Sequence, residues 1–253
     1  MAISSVTALD ESPVDAVQRD LTLRSFLSRY DFSMDAICER MLERNRGTIR
    51  IQKPRVAVAN LAKIMQTTLT ISNRKGFHSM SLRDLAGDAE LSMGALYTYF
   101  DSKETLMLMV LGEVSAAVGE VLAVTPPELE NIPVARLRWL LATHIFLTEA
   151  MLPWFVFAYM EAKTFSAEGR EKARNSEAST ETLIANVLHQ GVKQGEFDIA
   201  DIDLTAAMIK PLLQDWYVKR GKYKRRGVKP EDYVSAMTNF VEAAIRVRPG
   251  RRA

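Results

Sequence analysis

The chain has one cysteine in 253 residues, Cys38. A lone thiol excludes an intramolecular disulfide and a zinc centre built on cysteine pairs, and it fits a reducing compartment. Histidine is nearly as scarce: His78, His144 and His189 are too far apart in sequence to make a spaced metal-ligand motif. Net charge is small at +2, so any surface for a polyanion must come from local clustering of cations. No run reaches the roughly 18 consecutive apolar residues of a bilayer-spanning helix, and the most apolar window is MLPWFVFAYM. The opening MAISSVTALDESPVD is polar and acidic, unlike an export signal, so the cytoplasm is the expected address, with no membrane contact. Strict apolar/polar alternation between hairpin turns is also missing, which leaves an all-α chain as the expectation.

With 47% hydrophobic residues there is ample material for a helical core. Residues 1–54 read as an amino-terminal extension. Within it Ser33 precedes Met34, Ile37, Cys38, Met41 and Leu42, a capped helix with one apolar stripe that must dock on something. RMLERNRGTIRIQKPR follows, with Arg40, Arg44, Arg46, Arg50, Lys53 and Arg55 against Glu43 alone. It is either a solvated linker or a basic arm for phosphates beside a DNA-binding domain. Its GTIRIQK segment is either a short strand or an extended connector.

From Arg55 the apolar positions Val58, Leu61, Ala62, Met65 and Leu69 predict an amphipathic helix that ends at Gly76. Ser81 and Asp84 form a capping-box pair for a short helix carrying Leu82, Leu85, Ala86 and Ala89. Ser92 then caps a second short helix, MGALYTYF, whose Gly94 and Ala95 keep its first turn small. This is helix-turn-helix spacing, in which the second helix enters a major groove. Leu96 and Phe100 turn inward on this spacing, whereas Tyr97 and Tyr99 point elsewhere with hydroxyls free for phosphate oxygens. Asp101 or Ser102 caps the next helix, and Lys103 stands where a cation meets the DNA backbone. Three ordinary packed helices with amphipathic surface tyrosines are the alternative.

The run FHSMSLRDLAGDAELSMGALYTYFDSKETLMLMVL resembles the DNA-binding signature of the tetracycline-repressor (TetR) family. Ser81, Leu82, Leu85, Ala86, Leu91, Ser92, Gly94 and Leu96 fall where that pattern wants them, as do Tyr97, Tyr99, Phe100, Lys103 and Leu106. The likeness covers residues 56–114, and the leader is longer than the family's usual one. It implies a homodimeric transcription factor, usually a repressor, on double-stranded DNA with a palindromic operator. By motif position the DNA-facing set is Ser81, Arg83, Ser92, Met93, Ala95, Tyr97, Tyr99 and Lys103. The implied domains are a three-helix DNA-binding unit at 55–103 and a ligand-binding and dimerisation domain at 104–253.

Residues 133–247 read as five further helices. VARLRWLLATHIFLTEAMLPWFVFAYMEAK is apolar round most of its circumference and so is buried. It is either plain core or part of an apolar cavity. On the cavity reading Trp139, His144, Trp154, Phe155, Phe157 and Tyr159 would line it with Met208, Leu212 and Trp216 from a later helix. That later helix, capped by Asp201 or Asp203, contains Pro211, where a kink is expected. The last one starts near Pro230 and shows Val234, Met237, Phe240, Val241 and Ala244. The resemblance implies that these two helices pair with their mates in a dimer. Between them KRGKYKRRGVK carries Lys219, Arg220, Lys222, Lys224, Arg225, Arg226 and Lys229 and no acid. It is a solvated loop or a dock for the phosphates of an acyl-coenzyme A (acyl-CoA).

No nucleophile and base, and no metal set, cluster at a recognisable spacing, so catalysis is not expected and no cofactor is called for. The expected function is a ligand-responsive regulator, released from its operator by a mostly apolar molecule, with an acyl-CoA as candidate effector. The competing expectation is a helical binding protein that uses its extension to recruit another protein.

Overall fold

The computed structural model describes residues 12–51 and 53–247. Three helices make up the leader: α1 (Pro13–Arg19), α2 (Leu23–Arg29) and α3 (Met34–Arg44). A head follows, with α4 (Pro54–Lys75), α5 (Leu82–Asp88) and α6 (Met93–Leu96). The body contains α7 (Lys103–Leu122), α8 (Pro133–Ala150), α9 (Leu152–Met160), α10 (Ala167–Lys193), α11 (Ile202–Val218), α12 (Arg220–Arg225) and α13 (Pro230–Ile245). Among the described residues the fold is all-helical, its sole β feature being an isolated bridge between Phe197 and Arg246. The expected five helices after residue 133 are therefore six, because 220–225 of the basic segment coil into α12.

Local chemistry sets most of these boundaries. Side-chain oxygens of Ser33, Ser81, Ser92, Ser102, Ser166 and Asp201 each accept an N–H of the first helical turn. Proline opens α4, α8 and α13, where its missing N–H would have had no partner. Pro211 lies inside α11, and the helix runs on through it.

The leader is not a free arm. Ile37, Cys38 and Met41 of α3 are buried against α4 and α7, so the predicted stripe docks where head and body meet. Burial pushes the Cys38 thiol up to about 12, so it is an inert core group. α1 and α2 lie on α8, where Phe26 packs on Phe146 with ring centroids 6.2 Å apart. Gln18 donates to the carbonyl of Ala135, and the N–H of Leu23 donates to Glu231 of α13. GTIRIQK forms no strand over its described residues; 47–48 are a turn, 49–51 have no regular secondary structure, and Gln52 lies outside them.

α7 is apolar and long enough to cross a bilayer by composition, yet most of it is buried among the body helices. Together with α9, α10 and α11 it borders a cavity of the body.

Candidate nucleic-acid interface and effector cavity

Helix α4 stops where Gly76 takes φ +83°, a left-handed conformation that glycine adopts without a Cβ penalty. α5 begins with the predicted capping box: Ser81 Oγ accepts the Asp84 N–H at 3.0 Å, and the Asp84 carboxylate accepts the Ser81 N–H at 3.3 Å. That bond to the backbone of Ser81 holds the Asp84 carboxyl below its usual range. After a short turn, Ser92 Oγ accepts the Ala95 N–H at 3.1 Å and starts α6, which is a single turn. Ser102 caps α7 in the same way through the Thr105 N–H.

On this frame Ser81, Arg83, Ser92 and Tyr97 are exposed, and Met93 and Ala95 are half-buried at the edge of α6. Two expectations need correction. Tyr99 is fully buried, because α6 ends at Leu96 and the following turn rolls the next residues inward, so its hydroxyl cannot reach a phosphate here. Burial raises its phenol pKa, with Asn60 of α4 pulling the other way. Lys103 is half-buried and its ammonium is engaged within the protein. Its Nζ donates to the His78 carbonyl at 2.7 Å and lies 4.8 Å from the centroid of the Phe77 ring.

The basic leader divides in two. Arg44 donates to Glu113 and Glu120 of α7, Arg46 to Glu43, and Arg40 to the Asp31 carbonyl while lying over Phe32. Arg40 and Arg44 are turned to the protein and Arg46 pairs with Glu43 on the surface, contrary to an arm reading of the whole segment. Arg50, Lys53 and Arg55 are exposed and, among the described residues, have no acid within ion-pair distance. The main-chain N–H of Arg50 donates to the Thr98 carbonyl at 2.8 Å, which fixes this stretch beside the turn that follows α6.

Head and body meet at the far end of α4. Phe77 packs edge-on against Phe157 of α9 at 5.2 Å between centroids, and its N–H donates to buried Glu161. Phe155, Tyr159 and Met160, also on α9, border a cavity of about 650 Å³. Leu111, Val114 and Val118 of α7 face it from one side, and Lys210 and Tyr217 of α11 from another. Lys163, Arg170 and Arg174 add cations to its wall.

The predicted ligand-lining set is not brought together. Phe155 and Tyr159 border this cavity. Trp139 borders a second one of about 460 Å³, beneath the leader helices with Phe26 and Phe146. Trp154, Phe157 and Trp216 are core residues, and the Trp216 indole N–H donates to Glu149. His144 is buried behind Lys210 and accepts from it. Met208 is exposed and Leu212 half-buried, because the buried stripe of α11 is 206, 209, 210, 213, 216 and 217, not the face that carries Met208. Lys210 was missed as a site residue, although its spacing of four from Ala206 and three from Leu213 places it on that stripe.

The 219–229 segment is matched within the protein at its first three cations, while Lys224, Arg225, Arg226 and Lys229 are exposed. Arg220 grips Glu149 with two nitrogens and lies 4.5 Å from the Trp216 ring centroid. Lys219 and Lys222 pair with Asp215.

Comparison with known proteins places this arrangement. Residues 64–110 match the family model for bacterial regulatory proteins of the tetR family, and residues 130–241 match that for the tetracyclin repressor-like C-terminal domain. The HTH-type transcriptional repressor KstR of Mycobacterium tuberculosis is 30% identical over 102 residues, 38% of this chain and 46% of KstR. The KstR of Mycolicibacterium smegmatis is 31% identical over 50% of its length. The chain thus spans about half the length of these curated relatives. A regulatory protein of the tetR family from Rhodococcus RHA1 superposes with a TM-score of 0.66 at 17% identity, covering 76% of this chain and 98% of that one. Together the two matched regions take in the head and most of the body, and the chain belongs to the TetR family of bacterial regulators.

Proposed function

We propose that the protein is a DNA-binding transcriptional regulator, not an enzyme, that works in the cytoplasm as a homodimer on a palindromic operator. One observation carries the reading: the capped pair α5 and α6 leaves Ser81, Arg83, Ser92 and Tyr97 exposed, and Arg50 is pinned beside the turn after α6 by its bond to Thr98. In this arrangement α6 enters the major groove, Arg83 reaches a base or phosphate, Tyr97 meets phosphate, and Met93 and Ala95 contact base edges apolarly. Arg50, Lys53 and Arg55 add backbone contacts. Lys103 and Tyr99 serve the head from inside.

Dimerisation fits the outer face of the body. Leu204 and Met208 of α11 and Phe240 of α13 are 57–67% exposed, and no described residue covers them. A second copy supplies the cover and spaces two α6 helices about one helical turn of DNA, roughly 34–36 Å, apart.

The effector is a mostly apolar small molecule held in the cavity bordered by α7, α9 and α11. It acts by favouring a conformer in which the two heads no longer match the operator. For an acyl-CoA the phosphate dock would fall to the exposed Lys224, Arg225, Arg226 and Lys229, since Lys219, Arg220 and Lys222 are matched to Asp215 and Glu149. The alternative of an extension that recruits another protein is disfavoured by the leader's docking on α8, α4 and α7.

Selection of bound fragments from a random DNA pool with the full chain tests the reading. Enrichment of one palindromic site, weakened by Arg83→Ala and Tyr97→Ala, is expected. A pool that returns unenriched, or a site indifferent to both variants, overturns it.

A further inference from the structure

Lys210 is the one cation classed with the buried residues among those described, at 6% exposure. Other inward-facing cations have acids in contact: Arg44 with Glu113, Arg138 with Glu242, and Arg220 with Glu149. No carboxylate among the described residues lies within ion-pair distance of Lys210, although its side chain borders the large cavity. A dry ammonium without a counter-ion is costly, and such groups are normally paired.

Its one close polar contact does not meet that need. Lys210 Nζ lies 3.3 Å from His144 Nε2, and an ammonium has only protons to offer, so Nε2 is the acceptor. The ring is then neutral with its proton on Nδ1, and Nδ1 has no partner. Burial first, and the charge of Lys210 second, hold the His144 pKa well below its usual value. His144 therefore orients Nζ and cannot neutralise it. Glu177 and Glu181 of α10 act on Lys210 only from a distance, and a Glu177 oxygen is taken up by Gln214. Burial draws the lysine down to about 8, which leaves it mostly charged at neutral pH.

We infer that the cavity takes an apolar molecule ending in a carboxylate, and that Nζ of Lys210 receives the carboxylate while Leu111, Val114, Val118, Phe155 and Tyr217 enclose the apolar body. This rests on the reading of the cavity as the effector site and narrows it to a chemical class. A cationic ligand would meet Lys163, Arg170, Arg174 and Lys210 as like charges, against Glu177 as the one acid of the lining, whose carboxylate already accepts from Gln214. A neutral one would leave Lys210 without a counter-ion in a site that has lost its water. A carboxylate forms a charge-assisted hydrogen bond that strengthens as the cavity dries.

The test is calorimetric titration of the full chain at neutral pH with two matched pairs: decanoate against decanol, and phenylbutyrate against phenylbutanol. At least one acid is expected to bind about tenfold or more tightly than its alcohol. Lys210→Met should bring the pair to within about twofold by weakening the acid and sparing the alcohol, a loss of about 1.4 kcal/mol per factor of ten. Lys210→Gln, which keeps a polar head, provides a second variant, and circular dichroism checks the fold of both. Equal binding of acid and alcohol, retention of the preference in both variants, or no binding by either pair overturns the inference. Release of operator DNA is measured separately. Lys210-dependent acid binding without release would leave the carboxylate site standing and remove its role as effector site; release by the alcohols alone would do the reverse.

Discussion

The carboxylate of Glu161, at the end of α9, accepts the main-chain N–H of Phe77 at 2.9 Å. Phe77 stands between α4 and α5 in the head, and α9 borders the cavity in the body, so one hydrogen bond joins the two. The bond is buried, and an N–H deprived of it loses about 1–3 kcal/mol. Glu161→Ala is therefore expected to leave ligand binding intact and to raise the ligand concentration for half-release of DNA by about fivefold or more, while Glu161→Gln, which keeps an acceptor oxygen, stays near the parent. Fluorescence anisotropy of labelled operator during ligand titration reads both. Identical release curves for all three proteins would show that coupling runs elsewhere.

The leader is fastened to the body by Arg44, whose Nη1 lies 2.5 Å from Glu113, a buried residue of α7. Burial raises the Glu113 carboxyl above its ordinary range, against a counter-pull from Arg44. A raised folded pKa means that the stability from this group is fully present below the ordinary carboxylate pKa and is lost as pH climbs through the raised one. Arg44 limits that loss. Arg44→Ala should thus be nearly harmless at acid pH and cost about 2 kcal/mol at pH about 7.5, a figure discounted for the partly exposed guanidinium. Glu113→Gln should remove the pH dependence. Urea unfolding at the two pH values measures it, and a deficit that does not change with pH would assign the loss to packing.

For the basic leader a split is expected. Joint replacement of Arg50, Lys53 and Arg55 by alanine should lower the slope of log affinity against log salt by about 2–3. Replacing Arg40 and Arg46 should leave it unchanged, since those side chains lie on Phe32 and Glu43. Equal slopes in the two variants would contradict the placement of the arm.

The exposed apolar face sets a fourth expectation. Met208→Glu and Phe240→Glu place charges where a second copy must pack, and each should shift the protein toward monomer and weaken operator binding about tenfold or more. Both sites are on the surface, so stability of the monomer should change little. Sedimentation velocity with a DNA titration checks this; a dimer that survives both substitutions would put the interface elsewhere.

Several helix starts were readable in the sequence, because caps and prolines act over one turn. Ser81 with Asp84, Ser92, Ser102 and Asp201 do in the structure what their spacing predicts. The α3 stripe was also legible, as three and four residue steps place Ile37, Cys38 and Met41 on one face whatever covers it. Which of two apolar faces turns inward was not. α11 carries apolar residues on both sides, and only packing against α8 and α10 buries the one with Lys210 and exposes the one with Met208. Tyr97 and Tyr99 diverged for a related reason: helical spacing stops applying when the helix stops at Leu96. Charge balance lay furthest from sequence, because an ion pair depends on distance in space. Asp215 and Glu149 pair with three cations of a segment that has no acid of its own, whereas Lys210 meets His144, 66 residues away, and no carboxylate among the described residues within ion-pair distance.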